Sequence, residues 1–201
     1  MLRKITTRED EEKKAQRNRL IIGVVLVGIM ILSSAGYAFY SADRTNDGAT
    51  TETIEYEGVE FNLGENWLWN FKISGYDFST RFNPEETQNI SAISSKTLQN
   101  FYGKTLYFGT NSNAELSSIG NSEIGSNLEQ FIGRSNLACI DESCTEDYPI
   151  KNCSQENVII FREDKNGFSR VRDENSCVVI YYSKDEEQRA ADAFLFKILG
   201  F

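Results

Sequence analysis

The sequence predicts an α+β fold: an N-terminal transmembrane helix followed by an extracytoplasmic domain of antiparallel β-hairpins and meanders, with a C-terminal helix packed on the sheet. Three observations predict it: an uncharged apolar run near the N-terminus, short alternating segments separated by two-residue turns, and an amphipathic pattern at the C-terminus. The chain then divides into a basic cytoplasmic tail (1–19), a transmembrane signal anchor (20–40), a flexible linker (41–53) and the extracytoplasmic domain (54–201).

Residues 20–40 contain no charged side chain. A helix of this length is roughly 30 Å long, enough to cross a hydrocarbon core. Seven basic residues precede the run, and Arg17 and Arg19 lie directly against it, whereas the first basic residue after it is Arg44. The positive-inside rule therefore predicts a single-pass protein of the cell membrane, with the bilayer contacted through 20–40, the N-terminus in the cytoplasm and the C-terminal domain outside.

A cleaved signal peptide is the alternative to an anchor. It would use 20–32 as its apolar region and Gly36-Tyr37-Ala38 as a small-x-small cleavage site. The flank of nineteen residues before the run is long for a signal peptide, so the sequence favours the uncleaved anchor.

The amino-acid composition of the chain argues against several classes of function. The chain has 201 residues, a net charge of −9 and no histidine. The acidic balance argues against nucleic-acid binding, and the lack of histidine removes His-dependent triads and HExxH zinc sites. There is no Ser-x-x-Lys motif and no Gly-rich phosphate loop. We therefore assign no catalytic, cofactor-binding or metal-binding residue and predict no cofactor.

The first part of the domain reads as two hairpins, with turns at Glu57-Gly58 and Ser74-Gly75. The second turn predicts three facing pairs on one sheet face: Ile73 with Tyr76, Phe71 with Phe78, and Trp67 with Phe82. Such an aromatic row could be a carbohydrate platform, but strict alternation is typical of the buried face of an antiparallel sheet. We therefore predict that it is core.

Beyond Pro84 the pattern predicts a short helix or loop over 95–102, a strand over 104–110 and two short helices within 113–133, interrupted by Gly120 and Gly125. The last third predicts an antiparallel meander of strands 157–161, 168–172 and 177–182. A capping box, Ser183 with Glu186, then begins a helix that ends at Gly200. The apolar stripe of that helix is Ala191, Phe194, Leu195 and Ile198.

Three short runs, at 149–153, 175–180 and 191–200, resemble a group of uncharacterised small archaeal proteins that are secreted or anchored by one N-terminal helix. The resemblance covers roughly the last quarter of the chain. It implies an extracytoplasmic location and disulfides, and no activity.

Cys139, Cys144, Cys153 and Cys177 all lie in the predicted outer domain. Cys153 and Cys177 are too far apart in the sequence to form a zinc knuckle, so the sequence favours two disulfides. In a meander, the first and third strands begin at the same sheet edge, roughly 10 Å apart. That distance can be closed by the four residues between Cys153 and the first strand, so we pair Cys153 with Cys177 and Cys139 with Cys144.

Two further features could carry chemistry. The acidic side chains near Cys144 could bind a cation, although such loops are usually only solvated; they are Asp141, Glu142, Glu146 and Asp147. Asn89 and Asn152 each begin an N-glycosylation sequon.

These features favour a membrane-tethered, non-enzymatic cell-surface domain that binds or organises a protein or glycan partner. The alternative is a surface hydrolase using paired carboxylates, which would need a cleft with two carboxylates about 5–10 Å apart.

Overall fold

The computed structural model describes residues 21–22, 52–110 and 117–201, and the chain divides into two units at Thr50 and Thr51. In the second unit the described residues form ten strands and four helices. The strands are β1 (Thr53–Tyr56), β2 (Val59–Leu63), β3 (Trp69–Ile73), β4 (Tyr76–Thr80), β5 (Ser91–Ile93), β6 (Thr105–Thr110), β7 (Arg134–Cys139), β8 (Asn157–Glu163), β9 (Arg170–Glu174) and β10 (Cys177–Tyr182). The helices are α1 (Pro84–Thr87), α2 (Leu98–Phe101), α3 (Ser118–Leu128) and α4 (Glu187–Leu199).

The predicted membrane segment lies almost wholly outside the described residues, as do the basic tail and nearly all of the linker. Of 20–40, only Ile21 and Ile22 are described, and both are helical. Among the described residues, no helix has the length and the apolar character needed to cross a bilayer.

Strands β1 to β4 form an antiparallel meander with neighbours in chain order, as the two turn signals predict. Glu57 and Gly58 both adopt positive φ, 49° and 79°, which matches the right-handed twist of the strands they join. The second turn pairs Ile73 with Tyr76 and Phe71 with Phe78, in the predicted register. Trp69, Phe71 and Phe78 are buried, so the centre of the aromatic row is core, whereas Tyr76 is 41% exposed.

The predicted pairing of Trp67 with Phe82 is wrong. Trp67 lies before β3 at φ 60° and is 67% exposed. Its loop is closed by hydrogen bonds from Gly64 N to Leu68 O (2.8 Å) and from Trp67 N to Gly64 O (3.0 Å). The loop closes before the strand begins, so the alternating pattern starts two residues later, at Trp69.

The second sheet is mixed, with strand order β5-β9-β10-β8-β6-β7. Strands β8 and β10 are parallel neighbours, and β9 is antiparallel to β10 on its far side. The predicted meander is therefore wrong, because β10 lies between β8 and β9. The side chains account for this order: β8 and β10 are apolar runs suited to burial on both faces, whereas β9 carries Arg170 and Arg172 and is tolerated nearer the sheet edge.

Helix α3 corrects a second expectation: two helices are predicted over 113–133, whereas the described part of that range, 117–133, contains one helix. Gly120 does not break it, because its lack of a side chain lets the helix approach the Phe161 ring: a Cβ there would lie 2.3 Å from Phe161 Cε1. Helix α3 connects the parallel strands β6 and β7. The edge strands β5 and β7 were not predicted, since their sequences are short or polar.

The predicted capping box is also wrong. Helix α4 begins at Glu187, and the hydroxyl of Ser183 donates to the Glu186 carboxylate (2.6 Å) instead of accepting a hydrogen bond from a first-turn amide. Asp185, at φ 68°, turns the chain before the helix begins. The helix ends as predicted at Gly200, whose φ of 104° lets its amide donate to Phe196 O.

Two cores flank the six-stranded sheet. The main core lies on its inner face, where α4 contacts β10 and its Phe196 ring contacts Phe61 and Phe71 of the meander. The predicted stripe of α4 is buried there. The opposite face, called the outer face below, carries a smaller apolar cluster of Tyr107, Ala138, Val158, Ile160, Cys177 and Val179.

Candidate functional site

The outer face holds an open pocket of about 500 Å³, called the outer pocket below. Its lining includes two apolar side chains, Ile160 of β8 and Val179 of β10. It also includes Cys153 and Cys177, which form one of the two disulfides. Polar side chains complete it. The lining residues used below are Ile150, Lys151, Asn152, Arg162 and Glu174, together with Asp141.

The chain between β7 and β8, residues 140–156, forms one side of the pocket and is called the disulfide segment below. Its backbone is attached to the end of β7, because Cys139 N donates to Pro149 O (3.0 Å) and Lys151 N donates to Cys139 O (2.8 Å). Gly109 of β6 lets Ile140 pack closely on the sheet: a Cβ at Gly109 would lie 2.6 Å from Ile140 Cγ2.

Two disulfides secure this segment. Cys139 is joined to Cys144 and Cys153 to Cys177, with Cα atoms 5.7 and 4.8 Å apart. These are the pairs expected from the sequence, but the geometry differs from the expected one. Cys177 begins β10, which lies directly beside β8, so the gap that the Cys153 loop must close is one strand wide rather than two.

Beside the pocket, three arginines surround one tyrosine and one carboxylate. The Tyr181 hydroxyl donates to Glu174 Oε1 (2.7 Å), and Arg172 Nε donates to the same oxygen (2.6 Å). The guanidinium carbons of Arg170 and Arg172 lie 4.2 and 5.0 Å from the centroid of the Tyr181 ring. Arg162 contacts Glu174 Oε2 and the Tyr181 hydroxyl, each at 3.4 Å.

The charge state of Glu174 follows from these contacts. Burial opposes its ionisation, but the hydrogen bonds from Tyr181 and Arg172 outweigh burial and lower the pKa of the carboxyl. Glu174 is therefore held as a carboxylate. Arg170 pairs with Asp164 instead, and that contact lowers the pKa of Asp164 as well.

Lys151 supplies a second cation. Its ammonium lies 4.7 Å from the centroid of the Tyr107 ring and 3.5 Å from a carboxylate oxygen of Glu156. The contact with Tyr107 raises the pKa of Lys151, with burial acting in the opposite direction and Glu156 adding to the rise. The pocket therefore presents positive charge from two sides.

The acidic residues near Cys144 do not converge. Asp141 lines the pocket and accepts from Ser143 N (2.8 Å), so its carboxylate is turned at least partly toward its own loop. Glu146 contributes its backbone carbonyl to a contact with Cys139 Sγ (3.5 Å), and Glu142 is exposed. Within the residues that the structure describes, no three acidic, histidine or cysteine side chains are grouped as metal ligands would be.

The two sequon asparagines are both exposed. Asn152 lines the outer pocket, and its Oδ1 accepts from the backbone amide and from the hydroxyl of Ser154, each at 2.9 Å. Asn89 lies between α1 and β5 and is not among the pocket residues.

The structure also bears on the paired-carboxylate alternative. Asp141 and Glu174 both line the outer pocket. A glycosidase needs one protonated carboxyl as its general acid, and the lowered pKa of Glu174 makes that residue unsuited to the role. A second close pair, Glu123 and Asp192, is buried among α3 and α4 rather than in this pocket.

No local pattern in the sequence singles out Arg162, Glu174 or Tyr181 as functional residues. Alternation within each strand could have placed each on a sheet face, but Arg162 and Tyr181 meet only because β8 and β10 are neighbours in register. The strand order of the second sheet decides this contact, and local sequence patterns do not give that order.

No family model, curated protein or solved structure was found that matches the chain. The resemblance to small archaeal proteins therefore stays a prediction.

Proposed function

We propose that the protein is a membrane-tethered extracytoplasmic domain that binds a ligand, or a side chain of a partner, in the outer pocket without chemical turnover. The sequence supports the tether through the uncharged run 20–40 and its basic flank. The two disulfides support a domain outside the cytoplasm, where such bonds persist.

The outer pocket carries the proposal. Binding sites for small molecules are typically concave, with volumes of about 300–1,000 Å³, and combine apolar walls with a few placed polar groups. The outer pocket has this size and this lining. It is built on rigid strands, and the Cys153–Cys177 bridge fixes one of its sides, so it is formed before any ligand arrives.

The ligand test uses the full chain purified in detergent. Molecules that co-purify with it are released by denaturation and identified by mass spectrometry. The pocket variant is Ile150→Asp, because Ile150 lines the pocket and is 59% exposed. The matched control is Ile119→Asp on α3, which is 54% exposed and is not a pocket residue.

We expect a molecule that is present on the wild type and on the control and is lost from the pocket variant. The same molecules on all three proteins would contradict binding in the outer pocket. Conversion of the molecule by the wild type, abolished both by Asp141→Asn (the general acid) and by Glu174→Gln (the nucleophile or base), would instead support the paired-carboxylate hydrolase.

The tether is tested separately on intact cells treated with external protease. We expect loss of the domain beyond residue 50 and retention of the basic N-terminal tail. Protection of the cysteine-containing part would reverse the proposed orientation, and its release into the medium without protease would indicate a cleaved leader.

A further inference from the structure

We propose that the outer pocket selects ligands with an apolar body and one carboxylate, and that Arg162 is the residue that binds the carboxylate. This inference rests on the proposed function, since it names the chemical class of the ligand that the outer pocket takes.

The first step is the unused hydrogen-bonding capacity of Arg162. A guanidinium carries five N–H donors. Both hydrogen bonds of Arg162 come from Nη1, and at 3.4 Å both are longer than the usual 2.7–3.2 Å. Within the described residues, Nε and Nη2 have no hydrogen-bond partner. These two nitrogens form one edge of the guanidinium, which is the edge that binds a carboxylate with two parallel hydrogen bonds.

The second step is that Glu174, whose carboxylate Arg162 contacts, already accepts hydrogen bonds from other side chains. Glu174 Oε1 accepts short bonds from Arg172 and Tyr181, at 2.6 and 2.7 Å. Two guanidinium groups thus share one carboxylate, and Arg162 has the longer contact. Within the cluster of Arg162, Arg172 and Glu174 one positive charge is therefore left over, and the Arg162 side chain that carries it is 35% exposed.

The third step is the surroundings of that charge. Arg162 lies on the same sheet face as Ile160 and Val179, and Ile150 is exposed on the pocket wall. Ile160 and Val179 are themselves only 2% and 1% exposed, so an apolar body lies mainly against Ile150 while its carboxylate reaches Arg162. The partly apolar surroundings also lower the local dielectric constant around the ion pair, which strengthens it relative to a fully exposed one.

This chemistry fits two sources, a free small acid and the C-terminal residue of a peptide. The probes are N-acetyl-leucine and its neutral counterpart N-acetyl-leucinamide, which share the same apolar body. Acetyl-Gly-Gly-Leu is the peptide probe. Binding to the full chain in detergent is measured by isothermal titration and by the rise in unfolding temperature that a bound ligand causes.

We expect the wild type to bind the acid at least about tenfold more tightly than the amide, a factor that corresponds to about 1.4 kcal/mol. Arg162→Gln is expected to bind both probes equally weakly. Arg162→Lys should be intermediate, because an ammonium keeps the charge but not the two-pronged geometry. The control Arg134→Gln, an exposed arginine at the start of β7, should behave as the wild type does. Unfolding of each variant without a probe verifies that it is folded.

Tighter binding of the acetylated peptide than of N-acetyl-leucine would identify a peptide end as the ligand, and equal or weaker binding a free acid. Both results support the inference. Equal binding of acid and amide by the wild type would overturn it, as would a preference for the acid that survives in Arg162→Gln, or the failure of every probe to bind at millimolar concentration. Should acid and amide bind equally and both be lost in Ile150→Asp, the inference fails while the proposed function stands.

Discussion

Asn127 of α3 pairs with Ser79 of β4 through both atoms of its side-chain amide. Its Oδ1 accepts from Ser79 N (2.9 Å), and its Nδ2 donates to Ser79 O (2.8 Å). The side chain thus takes the place of a fifth strand at the edge of the meander. Because an open strand edge invites pairing with another chain, this contact protects the edge while it attaches the meander to α3.

We therefore expect Asn127→Ala to lower the free energy of unfolding by about 1–3 kcal/mol, the cost of leaving buried polar groups unpaired. The measurement is urea unfolding of the full chain in detergent. Gln130→Ala is the control, because Gln130 makes a single exposed contact, to Asp77 O, and its loss should cost only about 0.5 kcal/mol. Equal effects of the two substitutions would contradict the edge-pairing role.

Two glycines of the same helix make a second matched pair. A Cβ at Gly120 would overlap the Phe161 ring at 2.3 Å, whereas at Gly125 its nearest neighbour would be Phe108 Cε2 at 3.8 Å. Gly120→Ala should lower the unfolding free energy by about 1–3 kcal/mol through overpacking. Gly125→Ala should raise it by about 0.5–1 kcal/mol, because alanine is the better helix former. Thermal unfolding compares them, and a stabilised Gly120→Ala would show that α3 does not pack on Phe161.

The two disulfides should differ in their contribution to stability. The Cys153–Cys177 bridge joins residues 24 apart in sequence, and the Cys139–Cys144 bridge residues 5 apart. From loop-closure entropy, removing the first by a double Cys→Ser substitution should cost about 3 kcal/mol and removing the second about 2 kcal/mol. Thermal unfolding of both double variants gives the order. Peptide mapping without reductant tests the pairing itself: a fragment linking Cys144 to Cys153, or four free thiols, would refute it.

Because of Asp192, we expect the folded protein to lose stability as the pH rises. The residue is fully buried, its Oδ2 accepts from Phe82 N (2.9 Å), and its Oδ1 has no partner in the described part of the chain. Burial first, and then the negative charge of Glu123, raise the pKa of Asp192 well above its ordinary value. Because the folded pKa is raised, the stabilisation is complete below the ordinary Asp pKa of 3.8 and is lost as the pH rises through the folded value.

The Asp192→Asn variant should remove that loss, because asparagine is neutral at every pH and can still accept from Phe82 N. Urea unfolding from about pH 2 to about pH 9 measures it. Glu186→Gln is the control of opposite sign: hydrogen bonds from Ser169 and Ser183 lower the pKa of Glu186, so its contribution is lost as the pH falls. A wild-type stability that does not decrease toward high pH would contradict the raised pKa of Asp192.

Local chemistry predicted much of the domain. The hairpin registers follow from turn residues that accept positive φ, such as Gly58 and Gly75, and the buried stripe of α4 follows from its spacing. Each of these features depends on residues that are close to each other in the sequence.

The strand order of the second sheet could not be predicted in the same way. Turns at 164–167 and 175–176 reverse the chain but do not determine on which side of β8 the hairpin of β9 and β10 is placed. That choice is made by burial over the whole sheet, which favours the apolar β10 at the centre and the arginine-bearing β9 nearer the edge.

The sequence by itself therefore determined the α+β class, the β1–β4 meander with its turns, and the C-terminal helix with its end. It also determined the expectation of a membrane segment. Only the tertiary structure decided the mixed sheet, the single helix α3 and the outer pocket. Arg162, Tyr181 and Glu174 come from three strands, and they meet because β10 lies between the other two. Pairings of this kind depend on the burial of all strands together, and no local pattern in the sequence specifies them.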